Sequence, residues 1–386
     1  MPVLNRIAGY SDDMKEWRRW IHQHPEVGLD CHQTAAFVVS KLREFGIEEI
    51  HEGIARTGVV AIIHGQGDGP TIGLRADMDA LPMTEETGLS YASKLPGRMH
   101  ACGHDGHTAM LLGAARYLAE TRRFRGRVAL IFQPDEEGDG GGRVMVEEGI
   151  MERFEISRVF AVHNSPEAPF GHFSFCPGAM LAASDEFDVT VSGVGGHAAA
   201  PEQAADPIPA ALAMVSAFQT IVSRNHSAYD RLVISVTTIH AGTASNIIPS
   251  TCTFGGTVRS FDKSVQAMVI RRMEEIISGT AAAYGLKAEL DFRKGYPATV
   301  NDTREAAFAA EVARDVVGPD AVTEDALPEM YAEDFAYMLD ACPGAYLNLG
   351  QGPTAACHHP EFDFNDEIAP IGASFFARLV ERAQPV

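Results

Sequence analysis

Val128-Ala-Leu-Ile-Phe132 runs without a polar side chain straight into Gln133-Pro134-Asp135-Glu136-Glu137-Gly138. A short apolar run closed by Pro and Gly reads as a fully buried strand. Adjacent carboxylates at its end repel one another, and holding them beside an apolar sheet is costly unless a cation compensates. Because consecutive residues leaving a strand point in opposite directions, one of Glu136 and Glu137 can ligate while the other faces a substrate as a base. Taken alone, the run would read as a solvated acidic turn.

The residues around it do not leave it alone. Upstream lie Arg75-Ala-Asp77-Met-Asp79, after the apolar stretch 71–74, and His100-Ala-Cys102-Gly-His104-Asp105-Gly-His107. Downstream, Val159-Phe-Ala-Val-His163-Asn164 is another apolar run ending in His, and Cys357-His358-His359-Pro360 stands near the C-terminus. Any one of these histidines would pass for a structural residue. Together, thiol, imidazole and carboxylate form the ligand chemistry that a borderline-soft divalent cation accepts. Cys357 is a further possible sulfur ligand.

Periodicity organises these clusters into two patterns. In the first half, helical spacing over 12–22, 33–45 and 108–121 alternates with apolar strands at 59–64, 71–74 and 128–132, which predicts an α/β sandwich presenting ligands at strand ends. From about Ala183 the pattern changes: strict alternation over 185–192, a helix over 207–224, alternating strands at 232–239 and 252–259, a helix over 263–284 and a strand over 287–292. That βαββαβ order resembles a ferredoxin-like α+β unit. The expected organisation is an α/β/α metal-binding catalytic domain of residues 1–182 and 294–386, with an inserted domain of residues 183–293. Gly193-Val-Gly195-Gly-His197-Ala198 matches a dinucleotide-binding fingerprint, but Pro201 interrupts the helix that should follow, and no acid stands about twenty residues on to hold a ribose.

Composition narrows the function classes. A chain of 386 residues exceeds one ordinary domain. Its net charge of −21, with no basic stripe, argues against nucleic acid. Neither a signal peptide nor an apolar run of membrane-spanning length is apparent, so no membrane partner and a cytoplasmic location are expected. The six cysteines are scattered, as in a reducing compartment.

In order along nearly the whole chain, RADMDALPM, HACGHDGHTAMLLGAA, FQPDEEG, VHN, GGHAAAPE, AGTASNIIP, MYAEDF and CHHPEFDFND resemble the blocks of the dinuclear-metal amidohydrolases that include hippurate hydrolase, aminoacylase-like enzymes and hydrolases of indole-acetyl amino acids. The resemblance implies two divalent cations per subunit (Mn, Zn, Co or Ni), held by Cys102, His104, Glu137, His163 and His358, with the Cys102 thiolate shared between them. His358 rather than His359 matches the family's His-x-Pro. Glu136 would be the general base, with Asp77 and Asp79 orienting ligands and cations. His197 would serve the oxyanion from an inserted domain that acts as lid and dimerisation element, implying a homodimer. Asn246 and Arg259 are candidates for gripping a substrate carboxylate, Arg259 through its bidentate fork. The implied reaction is hydrolysis of N-acyl amino acids to a carboxylic acid and a free amino acid, and the alternative is a dinuclear-metal di- or aminopeptidase. The chain departs from the family's usual residues at Asp135, Ser165 and Glu202, none of them a proposed ligand or base.

Overall fold

A computed structural model describes residues 4–386 as two compact units. One comprises the chain up to Gly178 together with Val300–Leu327 and Asp334–Val386; the other comprises Ala179–Thr299 and Pro328–Glu333.

The first unit is built on an eight-stranded sheet in the spatial order Glu49–Ile54, Gly58–His64, Arg127–Gln133, Thr71–Asp77, Ile156–Ser165, Gly344–Gly350, Phe173–Ser174 and Val322–Thr323. Its four central strands, from Arg127–Gln133 to Gly344–Gly350, are mutually parallel. All seven residues of Thr71–Asp77 are buried. Successive side chains point to opposite faces, so this burial requires cover on both sides, which explains why the sequence there reads as continuous rather than alternating. Parallel strands also bring their C-terminal ends to one edge. Asp77, Gln133 and the His163–Ser165 stretch therefore finish side by side.

The helix expected over 108–121 runs over His104–Thr121. Gly103, at φ 98°, turns the chain into it, so His104 and His107 occupy its first turn instead of a preceding loop. A buried ionic cluster fixes that end. Arg18 and His22, one turn apart on the helix Ser11–Gln23, reach Asp105 at 3.5 and 2.8 Å, and Arg18 also binds Asp363 at 3.2 Å and Asp366 at 2.7 Å.

The second unit is a four-stranded antiparallel sheet in the order Leu232–Ala241, Thr251–Ser260, Ala183–Ser192, Lys287–Arg293. With the helices Pro207–Thr220 and Lys263–Tyr284 it has the βαββαβ connectivity and strand order of a ferredoxin-like fold. Alternation puts Phe187, Val189 and Val191 into a core with Phe218, Phe254, Val269 and Met273. Asp206 and Asp262 cap the two helices by accepting the amides of Ile208 and Ser264. The expected helix over 207–224 ends at Thr220 and continues as a π-turn, Ile221–Asn225. Among the described residues, no helix is long and apolar enough to cross a membrane.

His22 generates a pH prediction. Burial opposes its charge, but hydrogen bonds to Asp105 and Glu85 raise its pKa from an ordinary 6.5 to about 9. Folded protein therefore holds a proton that the unfolded chain releases near 6.5. The resulting stabilisation is complete below that pH and is lost as pH rises toward about 9. Melting temperature should fall across this window, and His22→Gln should flatten that slope; an unchanged slope would show that other groups cause it.

Candidate metal centre

The edge formed by the central strand ends gathers the residues that the sequence singles out. Asp77 ends one strand, and Gln133 ends its neighbour. The acids after Gln133 lie on a turn with Asp135 at φ 60°, so the different directions of Glu136 and Glu137 come from that turn and not from strand alternation. His163 stands near the end of Ile156–Ser165, and His358 lies in the loop beyond Gly344–Gly350 with φ 65°.

Their donor atoms form two triads that share one sulfur. Cys102, His104 and His163 have ligand atoms mutually within 4.8 Å, and so do Cys102, Glu137 and His358. Cys102 Sγ is 3.4 Å from His163 Nε2, and His358 Nε2 is 3.0 Å from Glu137 Oε1. His104 Nε2 lies 4.0 Å from both Glu136 Oε2 and Glu137 Oε1. Ligands about 2.0–2.3 Å from one tetrahedral ion stand about 3.3–3.8 Å apart, a spacing close to these. Two of the atoms give an independent sign of fit: His104 Nε2 and Glu137 Oε1 are buried with no hydrogen-bond partner. A cation between Glu137 Oε1 and His358 Nε2, which stand 3.0 Å apart, would satisfy such buried atoms. His359 instead accepts the Glu361 amide at 3.1 Å.

A polar layer behind these atoms fixes their aim. His104 Nδ1 donates to Asp79, at 3.0 Å from the carbonyl and 3.2 Å from Oδ1, which leaves Nε2 free to ligate. The other oxygen of Asp79 accepts the Glu137 amide at 3.0 Å. His163 Nδ1 donates to the Asn164 carbonyl at 2.7 Å. His107 bridges Asp77 at 2.6 Å and the Asn164 side chain at 2.7 Å. Asp77 also accepts Arg75 at 2.5 Å, while Arg75 reaches Gln133 at 2.9 Å and Asp334 at 3.0 Å. Arg75, His107, Asn164, Gln133 and Asp334 were not among the predicted site residues. His107 lies in the HDGH spacing, Asp334 in MYAEDF, Arg75 in RADMDALPM, Gln133 in FQPDEEG and Asn164 in VHN, but a buried Arg–Asp pair has no local sequence signal.

The electrostatics favour added positive charge. Burial lowers the pKa of His163, and His107 lowers it further, so this imidazole is neutral as a ligand must be. Burial also opposes charge on His104, but Asp77, Asp79 and Glu137 overcome it and push its pKa well up. The Cys102 thiol is pushed up by Cys357, burial and the two neighbouring glutamates, so forming its thiolate calls for a cation.

The other predicted residues lie in the second unit. His197 is exposed on the short strand Gly196–His197, paired with Ile247, and Asn246 accepts the Ala198 amide at 3.0 Å through its carbonyl, so these two lie at one small antiparallel ladder. A 3-10 turn, Pro201–Gln203, follows instead of the helix a dinucleotide site would need. Arg259, half-buried on Thr251–Ser260, bonds the Thr257 hydroxyl and the Val258 carbonyl of its own strand.

Comparison with known proteins agrees with this arrangement. Residues 73–382 match the model of peptidase family M20/M25/M40. Hippurate hydrolase of Campylobacter jejuni is 39% identical over 379 residues, covering 98% of each chain. N-acetyl-L-cysteine deacetylase of Bacillus subtilis is 41% identical over 366 residues, 93% of this chain and 85% of that one. A Bacillus subtilis structure described as a dinuclear metal binding peptidase from the M20 family superposes with a TM-score of 0.86 at 34% identity, covering 98% and 99% of the two chains.

Gly103 supplies a direct test of the layer behind the ligands. A Cβ there would lie 2.0 Å from Asn164 Oδ1, on a backbone at φ 98° that side chains rarely adopt. Gly103→Ala should displace Asn164 and weaken metal binding about 10- to 100-fold. Competition against a chromogenic chelator reads this, and unchanged affinity would mean that Asn164 does not position the ligands.

Proposed function

We propose that this chain, which belongs to peptidase family M20/M25/M40, is a metal-dependent amidohydrolase that cleaves N-acyl amino acids to a carboxylic acid and a free amino acid. The observation that carries the reading is the pair of ligand triads sharing Cys102, with Glu136 beside them. Relatives named for hippurate and for N-acetyl-L-cysteine support an N-acyl amino acid as substrate.

Cys102, His104, Glu137, His163 and His358 would hold two divalent cations, Mn, Zn, Co or Ni, which when bound acidify water and polarise an amide carbonyl. Glu136 takes the proton of the attacking water and returns it to the leaving nitrogen. His197 Nδ1 accepts the Ala199 amide at 3.0 Å, which leaves the proton of the neutral ring on Nε2, available to an oxyanion. Asn246 and Arg259 grip the α-carboxylate. The ferredoxin-like unit serves as lid and dimerisation element of a cytoplasmic homodimer.

Two experiments test the roles. Glu136→Gln should keep its metal and lose turnover about a thousandfold, whereas Glu137→Ala, Cys102→Ala and His104→Ala should lose metal as well. Metal analysis of the purified variants decides, and an empty Glu136→Gln beside a loaded, inert Glu137→Ala would exchange the two glutamates. The second experiment compares N-acyl amino acids with their C-terminal amides. The acids should be cleaved about ten- to a hundredfold faster, and Arg259→Ala should narrow the gap; equal rates would remove the carboxylate grip.

A further inference from the structure

Two thiols meet beside the candidate metal centre, and only Cys102 belongs to the ligand triads. The His358 amide donates to the Ala101 carbonyl at 2.8 Å, which joins the loop before His358 to the segment that carries Cys102. Cys102 and Cys357 are the residues next to this bond. Cys357 Sγ lies 3.8 Å from the Cys102 carbonyl, and its thiol is within hydrogen-bonding reach of the Cys102 thiol. Both thiols are free and half-buried, and Ala356, His358 and His359 beside them are exposed, so a small oxidant has access. Cys31, Cys176 and Cys252, by contrast, are buried.

We propose that Cys102 and Cys357 are a modification site: without bound cation, a peroxide joins them in a disulfide and so removes the sulfur that both triads share. One thiol attacks the peroxide O–O bond, becoming a sulfenic acid as the first water leaves. The second sulfur then displaces the sulfenic oxygen as a second water, forming the S–S bond. The peroxide gains the two electrons that the cysteines lose, and both thiol hydrogens leave in the waters. A bound cation blocks the step by engaging the Cys102 sulfur, and a dithiol reductant reverses it. The inference rests on Cys102 as a metal ligand only for this protection; the cross-link itself needs only the pair of thiols.

The test uses the full chain, stripped of metal by a chelator, treated with one equivalent of hydrogen peroxide and then alkylated. Peptide mass spectrometry should find a Cys102–Cys357 linked pair, and the intact protein should be lighter by two hydrogens. The oxidised protein should no longer take up zinc until reduced with dithiothreitol. Zinc loaded beforehand should cut the yield of linked peptide about tenfold or more. Cys357→Ser should bind zinc normally before oxidation and give no linked peptide, with peroxide leaving oxygen on Cys102. The linked peptide is read on the unaltered chain, so a variant that folds poorly does not spoil the test. Absence of the link in stripped protein, or an equal yield in protein shown to retain zinc, overturns the proposal. Failure of the metal reading would appear separately, as undiminished metal in Cys102→Ala.

Discussion

Asp77 is a carboxylate wholly removed from water at the end of a central strand, and the chemistry of the first unit turns on keeping it charged. Burial alone would drive a proton onto it. Arg75 at 2.5 Å and His107 at 2.6 Å hold it ionised, its pKa well below the usual carboxylate range. Each partner is tied in turn: Arg75 to Gln133 and Asp334, His107 to Asn164. These bonds join the ends of three adjacent strands in one polar chain. In a poorly screened interior such a chain is stiff, because losing any member leaves the next one desolvated and unpaired. The candidate ligand His163, on one of these strands, inherits that stiffness.

Much of this was legible in the sequence because it depends on local pattern. Apolar runs such as 128–132 and 71–74 read as buried strands, and the alternation over 185–192 as a strand covered on one face. The thiol, imidazole and carboxylate clusters announced a metal centre by their chemistry. What stayed hidden depends on backbone turns or on distance along the chain. The helix that carries His104 begins earlier than its apolar spacing indicates, because Gly103 turns the chain in a left-handed conformation. Asp135 does the same for the acidic turn. The Arg75–Asp334 pair spans 259 positions, and no periodicity reports a contact of that kind.

The second unit has a different character. His197 and Asn246 sit exposed at a two-stranded antiparallel ladder, without the buried polar layer that fixes His104 and His163. Arg259 is committed in part to its own strand. Ordering side chains held this lightly would fall as a cost on whatever binds them.

The split course of the chain also matters during synthesis on the ribosome. The strands and helices of the ferredoxin-like unit lie consecutively within Ala183–Arg293, so its sheet can close as soon as that stretch emerges. The first unit cannot do so. Gly344–Gly350, which pairs along Ile156–Ser165, and the loop with His358 are made only after the whole of that stretch. Until then the nascent chain carries a bare flank on Ile156–Ser165 and only part of its candidate ligand set. A complete candidate site therefore waits for the loop with His358, and the waiting strand is where a chaperone or a misplaced neighbour would have its opportunity.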